Sequence, residues 1–422
     1  MSVNLRQEEV QLESKKRLIA LQRAKELRSR IDGYLKNKAN IPSGFEVQEA
    51  YQQAKHKLLQ VLQATEDQWH DWHWQMANRI SDVTVISQLL NLDAAELQAV
   101  QRVGRQYRWA VSPYYMALAM AGGINGPVWR QAVPSIEEVQ DRSGLEDPMG
   151  EEFTSPAPAV TRRYPDRLII NVTNQCAMYC RHCQRRRNIG ELDLHKPRKI
   201  LEAALQYVRE NKEIRDVLIT GGDALLLSDK QLDWLLSQLD QIPHVEIKRI
   251  GTRTPVTLPQ RITPELCAVL EKYPPIYINT QFNHPLEVTP EAKKACDMLI
   301  KAGVVLGNQA VLLKDINNDP DVMKRLNHKL LQIRVRPYYI FHAKAVKGTR
   351  HFITGVNDGI NIMEQLRGYT SGLAVPTYII NAPNGYGKTP VLPQYIVENH
   401  NTHVTLRTWE KRIIPYNVKC KQ

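Results

Sequence analysis

Residues 168–183 read Leu168-Ile169-Ile170-Asn171-Val172-Thr173-Asn174-Gln175-Cys176-Ala177-Met178-Tyr179-Cys180-Arg181-His182-Cys183. The first six, aliphatic and β-branched, have the character of a short buried strand, and a loop holding three cysteines begins just past it. Outward from this strand the same rhythm recurs. Strand-like runs occupy 217–220, 245–250, 276–280, 304–308, 333–340 and 376–381, spaced through the middle by roughly 30 residues, one strand–helix unit. The segments between them, 199–208, 229–239, 263–272 and 290–302, carry helical patterning. Alternation of this kind implies parallel pairing and right-handed crossovers. Six or seven units predict an α/β fold, a partial (β/α)6-type barrel rather than a closed eightfold one.

The flanks differ. Before residue 160 no strand alternation is evident, and Leu18, Leu21, Ala24, Leu27 and Ile31 recur at helical spacing. The aromatic run Trp69-His70-Asp71-Trp72-His73-Trp74 reads as packing between helices. Residues 134–158, rich in proline and acid, read as a linker or an ordered surface loop. The expected organisation is an N-terminal helical domain with linker over 1–160, a barrel over 161–399 and a short C-terminal extension over 400–422.

Composition bounds the function. The 422 residues are 43% hydrophobic and 24% charged, enough apolar material for a full core and an ordinary soluble surface. No run approaches the roughly 20 apolar residues of a membrane span, and the N-terminal residues lack an apolar signal region. A cytoplasmic protein without membrane contact is expected. The net charge of +12 suits acidic partners or phosphorylated cofactors. Clustering of three of the six cysteines favours metal or redox chemistry over a disulfide framework.

In barrels of this kind, chemistry sits on loops at the carboxyl ends of the strands. Cys176, the Gly221-Gly222-Asp223 turn, Thr252-Arg253-Thr254-Pro255, Gln281, Asn308-Gln309, His342-Ala343-Lys344 and the segment after Asn381 all fall at such ends. The reactive groups therefore converge on one rim. Three thiolates on one tight loop can hold three irons of a [4Fe–4S] cube, leaving the fourth iron open to an outside ligand. A structural zinc would require a fourth Cys or His. The Cys-x3-Cys-x2-Cys loop after a first strand resembles that of radical S-adenosylmethionine (SAM) enzymes. By that resemblance Cys176, Cys180 and Cys183 bind the cluster, Gly221-Gly222-Asp223 contacts the methionine amine of SAM, and Gln309 binds its ribose.

Asn384-Gly385-Tyr386-Gly387-Lys388-Thr389 fails as a phosphate loop, because Ala382 stands where glycine is required. Lys388 on a flexible glycine loop is instead suited to a Schiff base with pyridoxal phosphate (PLP), against the plain reading of a surface lysine. Arg163 and Arg167, four apart, could clamp a phosphate dianion, and Arg185 an α-carboxylate. The competing reading of the run 181–187 is a basic patch for RNA.

Taken with Trp69–Gln75, Thr252–Thr263, Arg334–Tyr339 and Ala382–Pro390, these motifs resemble the lysine 2,3-aminomutase family, PLP-dependent radical SAM isomerases, over nearly the whole chain. The resemblance implies Lys388 as the catalytic PLP lysine, Arg163 and Arg167 as its phosphate ligands, and Arg185 as the substrate carboxylate ligand. In lysine-acting members two aspartates, 37 positions apart, grip the distal ammonium. Here those positions hold Lys344 and Asn381. At ~4 Å and an effective dielectric near 20, each unit-charge interaction is worth about 4 kcal/mol, so the exchange should abolish lysine binding. A γ-carboxylate suits both residues, which points to a member acting on L-glutamate. Lysine or aspartate as substrate, and a non-catalytic iron–sulfur or RNA-binding module, are the alternatives. The same resemblance implies a flavodoxin- or ferredoxin-like reductant, a homo-oligomer and no nucleic acid. With only Cys420 in the tail and Asp319 where a further ligand would come from, no structural zinc is expected.

Overall fold

The computed structural model describes residues 2–400 and 403–417; Cys420 lies outside them. The chain divides into two compact units, one ending at Pro42 and one beginning at Ser43. In the first, a helix over Ser2–Ser29 is followed by a short one over Asp32–Asn37, and Leu18, Ile19 and Leu21 are exposed along the long helix.

The second unit is organised by a nine-stranded sheet whose spatial order follows the sequence. Its strands are β1 (Val160–Arg162), β2 (Arg167–Thr173), β3 (Asp216–Gly221), β4 (Ile247–Gly251), β5 (Ile276–Thr280), β6 (Val305–Leu312), β7 (Arg336–His342), β8 (Thr377–Ala382) and β9 (Gly387–Pro390). Strands β2 to β8 are parallel, while β1 and β9 run antiparallel at the two edges. Six of the parallel strands are each followed by a helix, and β8 adds a seventh, so the sheet is an open (β/α)6-type half-barrel. The expected architecture is met.

Local chemistry explains the helix starts. Thr263-Pro264, Thr289-Pro290 and Asp319-Pro320 each place a capping oxygen on the first turn and a proline where its missing N–H costs nothing. Alternation along β2 sends Leu168, Ile170 and Val172 into the core. That apolar core is continuous with the preceding helices, because Leu58, Trp69, Tyr114 and Leu118 belong to the same cluster as Ile170, Ile219, Ile278 and Tyr378. Trp69 is buried against Trp74, with ring centroids 6.3 Å apart. The aromatic run therefore does pack helices, as its spacing predicts.

The stretch 134–158 is an ordered loop with two buried carboxylates, Glu138 and Glu151. Beyond β9 a separate three-stranded antiparallel sheet forms from β10 (Ile396–Asn399), β11 (His403–Arg407) and β12 (Ile413–Asn417). No helix among the described residues is long and apolar enough to cross a membrane.

Candidate active site

At the carboxyl ends of the parallel strands lies a cavity of about 300 Å³. Its wall includes Cys176, Cys180, Cys183, Arg163, Arg185, Gly221, Gly222, Asp223, Gln309, Lys344, Asn381 and Lys388. Every site residue expected from sequence is thus on one wall except Arg167. Its guanidinium stacks 4.0 Å over the Tyr164 ring, close enough for its charge to act on Lys388.

The cysteine loop is held from three sides. Gly222 N–H donates to Thr173 O at 2.5 Å and Asp223 N–H to Gln175 O at 2.7 Å. A Cβ on Gly221 or Gly222 would stand 2.3 Å from the Thr173 or Gln175 carbonyl, so only glycine lets the end of β3 lie against this loop. Arg79 donates to the Cys176 carbonyl at 2.7 Å, and Arg253 Nη1 donates to Cys180 Sγ at 2.9 Å. Arg253 is itself fixed by Glu287 at 2.6 Å and Gln131 at 2.7 Å. Burial raises the Cys176 and Cys183 thiols, with the neighbouring negative groups adding to it. Bound iron would offset that cost, and the soft sulfur donors suit it.

Asp223 is buried, with its oxygens accepting from Thr252 Oγ1, Arg253 N–H and Leu225 N–H. It braces the end of β4 against the cysteine loop. Gln309 follows a register shift between β6 and β7 at Asn308; such a bulge re-aims the side chains beyond it.

Lys388 differs locally from expectation. It sits in β9, not on a free loop, because Asn384, Gly385 and Gly387 at φ 55°, 80° and 99° reverse the chain tightly into that strand. Its backbone N–H donates to Tyr164 Oη at 2.9 Å. Its Nζ lies 5.6 to 5.9 Å from the rings of Tyr164, Tyr339 and Phe341. Burial, then the charges of Arg249, Arg167 and Arg163, bring its ammonium down to about 8. A neutral amine is what imine chemistry requires.

Lys344 Nζ donates to Gln184 Oε1. Burial, then the cationic Arg185 and Arg163, lower it to about 7. Asn381 is the cross-strand partner of Lys388, and its Nδ2 is buried with no hydrogen-bond partner among the described residues.

Sequence reasoning missed the group that organises the cations. Glu151 accepts from Arg163 Nη2 at 2.7 Å, Arg185 Nε at 3.0 Å and Arg187 Nη2 at 3.0 Å. Although burial opposes its charge, these guanidiniums hold it at about 2. Glu138 pairs with Arg181 at 2.6 Å and with Arg186. The signal was present in the acidic stretch 134–158 opposite the arginine run, but nothing local joined the two. Sequence reasoning set Arg253 on the rim without giving it a role, and it missed Arg79 and Gln184.

The family model described as "Radical SAM superfamily" matches residues 170–326, and "Lysine-2,3-aminomutase" matches residues 363–419. The glutamate 2,3-aminomutase of Clostridioides difficile is 57% identical over 94% of each chain. The L-lysine 2,3-aminomutase of Fusobacterium nucleatum is 50% identical over 83% of each. That of Clostridium subterminale is 48% identical over 83% of this chain and 84% of its own. Continuous similarity of this extent, joined to a half-barrel that gathers the three cysteines and Lys388 in one cavity, makes the chain a radical SAM aminomutase of the lysine 2,3-aminomutase family.

Proposed function

We propose that this aminomutase acts on L-glutamate, moving its amino group from Cα to Cβ. The observation that carries the reading is the pairing, in one cavity, of the Lys344 ammonium with the partnerless Nδ2 of Asn381. Both are donors, so they favour an acceptor at the far end of the substrate and disfavour an ammonium. The C. difficile relative is named for glutamate.

In this reading Cys176, Cys180 and Cys183 hold a [4Fe–4S] cluster, with Gly221, Gly222, Asp223 and Gln309 on the SAM side. Lys388 carries PLP, and Arg163 and Arg167 neutralise its phosphate. When bound, cluster and SAM supply a hydrogen-abstracting radical, and PLP supplies the π-system that holds the migrating nitrogen. The protein does the rest by position. Arg185 fixes the α-carboxylate while Lys344 and Asn381 fix the γ-carboxylate, so the substrate is held at both ends and its Cβ presented in one orientation. Tyr164, Tyr339 and Phe341 exclude water around Lys388. Residues 161–399 carry this chemistry, the helices between 43 and 160 brace it, and 400–422 form an extension. The electron comes from a flavodoxin- or ferredoxin-like carrier in the cytoplasm, and the chain works as a homo-oligomer.

Anaerobic assay of the reconstituted enzyme with glutamate, aspartate and lysine tests the substrate. Glutamate turnover is expected, with loss in the Lys344→Asp, Asn381→Asp double variant. Unchanged glutamate kinetics in that variant, or preference for lysine by the unmodified enzyme, would refute it.

A further inference from the structure

Three consecutive residues, Cys183-Gln184-Arg185, all line the cavity. They belong to one turn, in which Arg185 N–H donates to the Cys183 sulfur. The Arg185 side chain is held by Glu151 at 3.0 Å. Gln184, between them, has Oε1 accepting from Lys344 Nζ, 160 residues further along the chain. The side chain that leads away from the cysteine loop therefore ends on the cation at the opposite wall.

The nature of that contact is informative. An ammonium drawn out of water is ordinarily paired with a carboxylate. Lys344 makes no ion pair among the described residues, and Gln184 supplies its hydrogen-bond acceptor. The charged groups that face it are Arg185, Arg163 and Lys388, which oppose its proton, and Glu151, which favours it; the Phe341 ring lies 5.8 Å away. Glu151 is already shared by three arginines. A neutral amide oxygen thus satisfies one Nζ proton without cancelling the charge. A lysine ammonium has donors only, so it also fixes which way round the Gln184 amide stands. The oxygen is turned to Lys344, and what Gln184 has left over is the donor pair of Nε2, which has no partner among the described residues. Nothing in the arrangement repels an anion.

We propose that Gln184 is a positioning residue for the far end of the substrate, holding the Lys344 ammonium with a neutral acceptor so that its charge stays free for the γ-carboxylate. The inference rests on the reading of glutamate as substrate and adds to it a residue outside the Lys344 and Asn381 pair. Because Gln184 and Arg185 are neighbours in the chain, both ends of the substrate are then governed from one turn beside the cluster ligand Cys183. A carboxylate at position 184 would hold Lys344 equally well, but it would neutralise the cation and repel the substrate.

The test compares wild type, Gln184→Met and Gln184→Glu, each anaerobically reconstituted with cluster, SAM and PLP. Methionine keeps the length of glutamine and removes the acceptor, whereas glutamate keeps the acceptor and adds a charge. The readout is the KM for glutamate against pH, with its break near the value of about 7 at which Lys344 loses its proton. Gln184→Met should raise KM about tenfold below the break, with kcat changing less, through loss of a bond to a charged group. It should also move the break to lower pH, since that bond favours the charged form. Gln184→Glu should raise KM about tenfold or more yet move the break to higher pH, because the added carboxylate stabilises the ammonium. Opposite movements of the break, with KM raised in both, are a signature that general loss of structure does not give. A second readout needs no turnover. Competitive acetylation of the protein without cofactors, read by peptide mass spectrometry at pH 7, should find Lys344 more reactive than wild type in Gln184→Met and less reactive in Gln184→Glu. Unchanged Lys344 reactivity in both variants, or wild-type KM in Gln184→Glu, with glutamate turnover by the wild type intact, would overturn the role of Gln184 alone. A wild-type enzyme that turns over another amino acid and leaves glutamate untouched would overturn the substrate reading and this inference with it.

Discussion

Asn381 and Lys388 face one another across the antiparallel pair of β8 and β9. Directly opposed residues project from the same side of a sheet, with Cβ atoms about 4.5–5.5 Å apart. The residue proposed to read the substrate's far end and the lysine proposed to hold PLP are thus set by one strand pairing. The buried Nδ2 of Asn381 has no hydrogen-bond partner among the described residues and must find its acceptor in the cavity, in solvent or in substrate. Asn381→Leu is therefore expected to keep or raise the melting temperature while raising the KM for glutamate by about tenfold or more. Thermal unfolding and steady-state kinetics on the same preparation check it; a fall in stability with unchanged KM would contradict it.

Lys344 provides a pH signature. Its ammonium is lowered to about 7, by burial first and then by Arg185 and Arg163, with Glu151 opposing and Lys388 adding to the shift. Below that pH the free enzyme offers a cation to the substrate; above it the amine is mostly neutral. An incoming carboxylate restores the proton, so glutamate binding takes up protons. The KM for glutamate should be flat below pH 7 and rise towards tenfold per unit above it, with kcat changing less. Lys344→Arg, which stays charged, should remove the break, and Lys344→Met should raise KM about 10- to 100-fold at pH 6.5, the worth of a charged hydrogen bond.

Glu151 gathers three arginines, two of which, Arg163 and Arg185, are also proposed to meet the anionic groups of PLP and substrate. Its carboxyl is held at about 2 against an ordinary 4.5, so its contribution to stability is complete above pH 4.5 and is lost as the pH falls towards 2. Glu151→Gln leaves Arg163, Arg185 and Arg187 without a shared counter-charge and should cost about 3 kcal/mol in the protein without PLP. Phosphate and carboxylate can replace part of that charge. The loss in melting temperature should accordingly shrink when PLP and glutamate are added, and calorimetry with and without them reads the difference.

What could be read from the chain was whatever local spacing encodes. The parallel strands β3 to β7 recur about every 30 residues, and the three cysteines carry their own pattern. Glu138 and Glu151 escaped because their partners are long-range. Arg186 lies 48 residues from Glu138, and Arg185 lies 34 from Glu151, so a proline-rich acidic stretch looked like a linker or a surface loop with no part in the site. The strands β10 and β11 escaped for another reason: their residues are exposed or half-buried on both faces, and without a buried face there is no alternation to find. Lys388 does reach the cavity wall, but its glycines were read as freedom when they serve a tight reversal into β9.

Lys388 itself yields the most direct test. In water a lysine is almost wholly protonated at neutral pH, and only the free amine attacks an aldehyde. Here burial and the charges of Arg249, Arg167 and Arg163 lower it to about 8, with Asp216 opposing. The rate at which the protein without PLP takes up the cofactor should rise about tenfold per pH unit below 8 and level off above it. A lysine at the ordinary value of 10.5 would still be accelerating through that range. Arg249→Gln removes the most strongly acting charge and should move the plateau to higher pH, without shifting the Lys344 break in KM. Lys388→Ala should bind PLP without the visible absorbance of a lysine linkage and should lack turnover. If that absorbance persisted in Lys388→Ala, another amine would be carrying PLP, and the pairing of Asn381 with Lys388 would lose its mechanistic meaning.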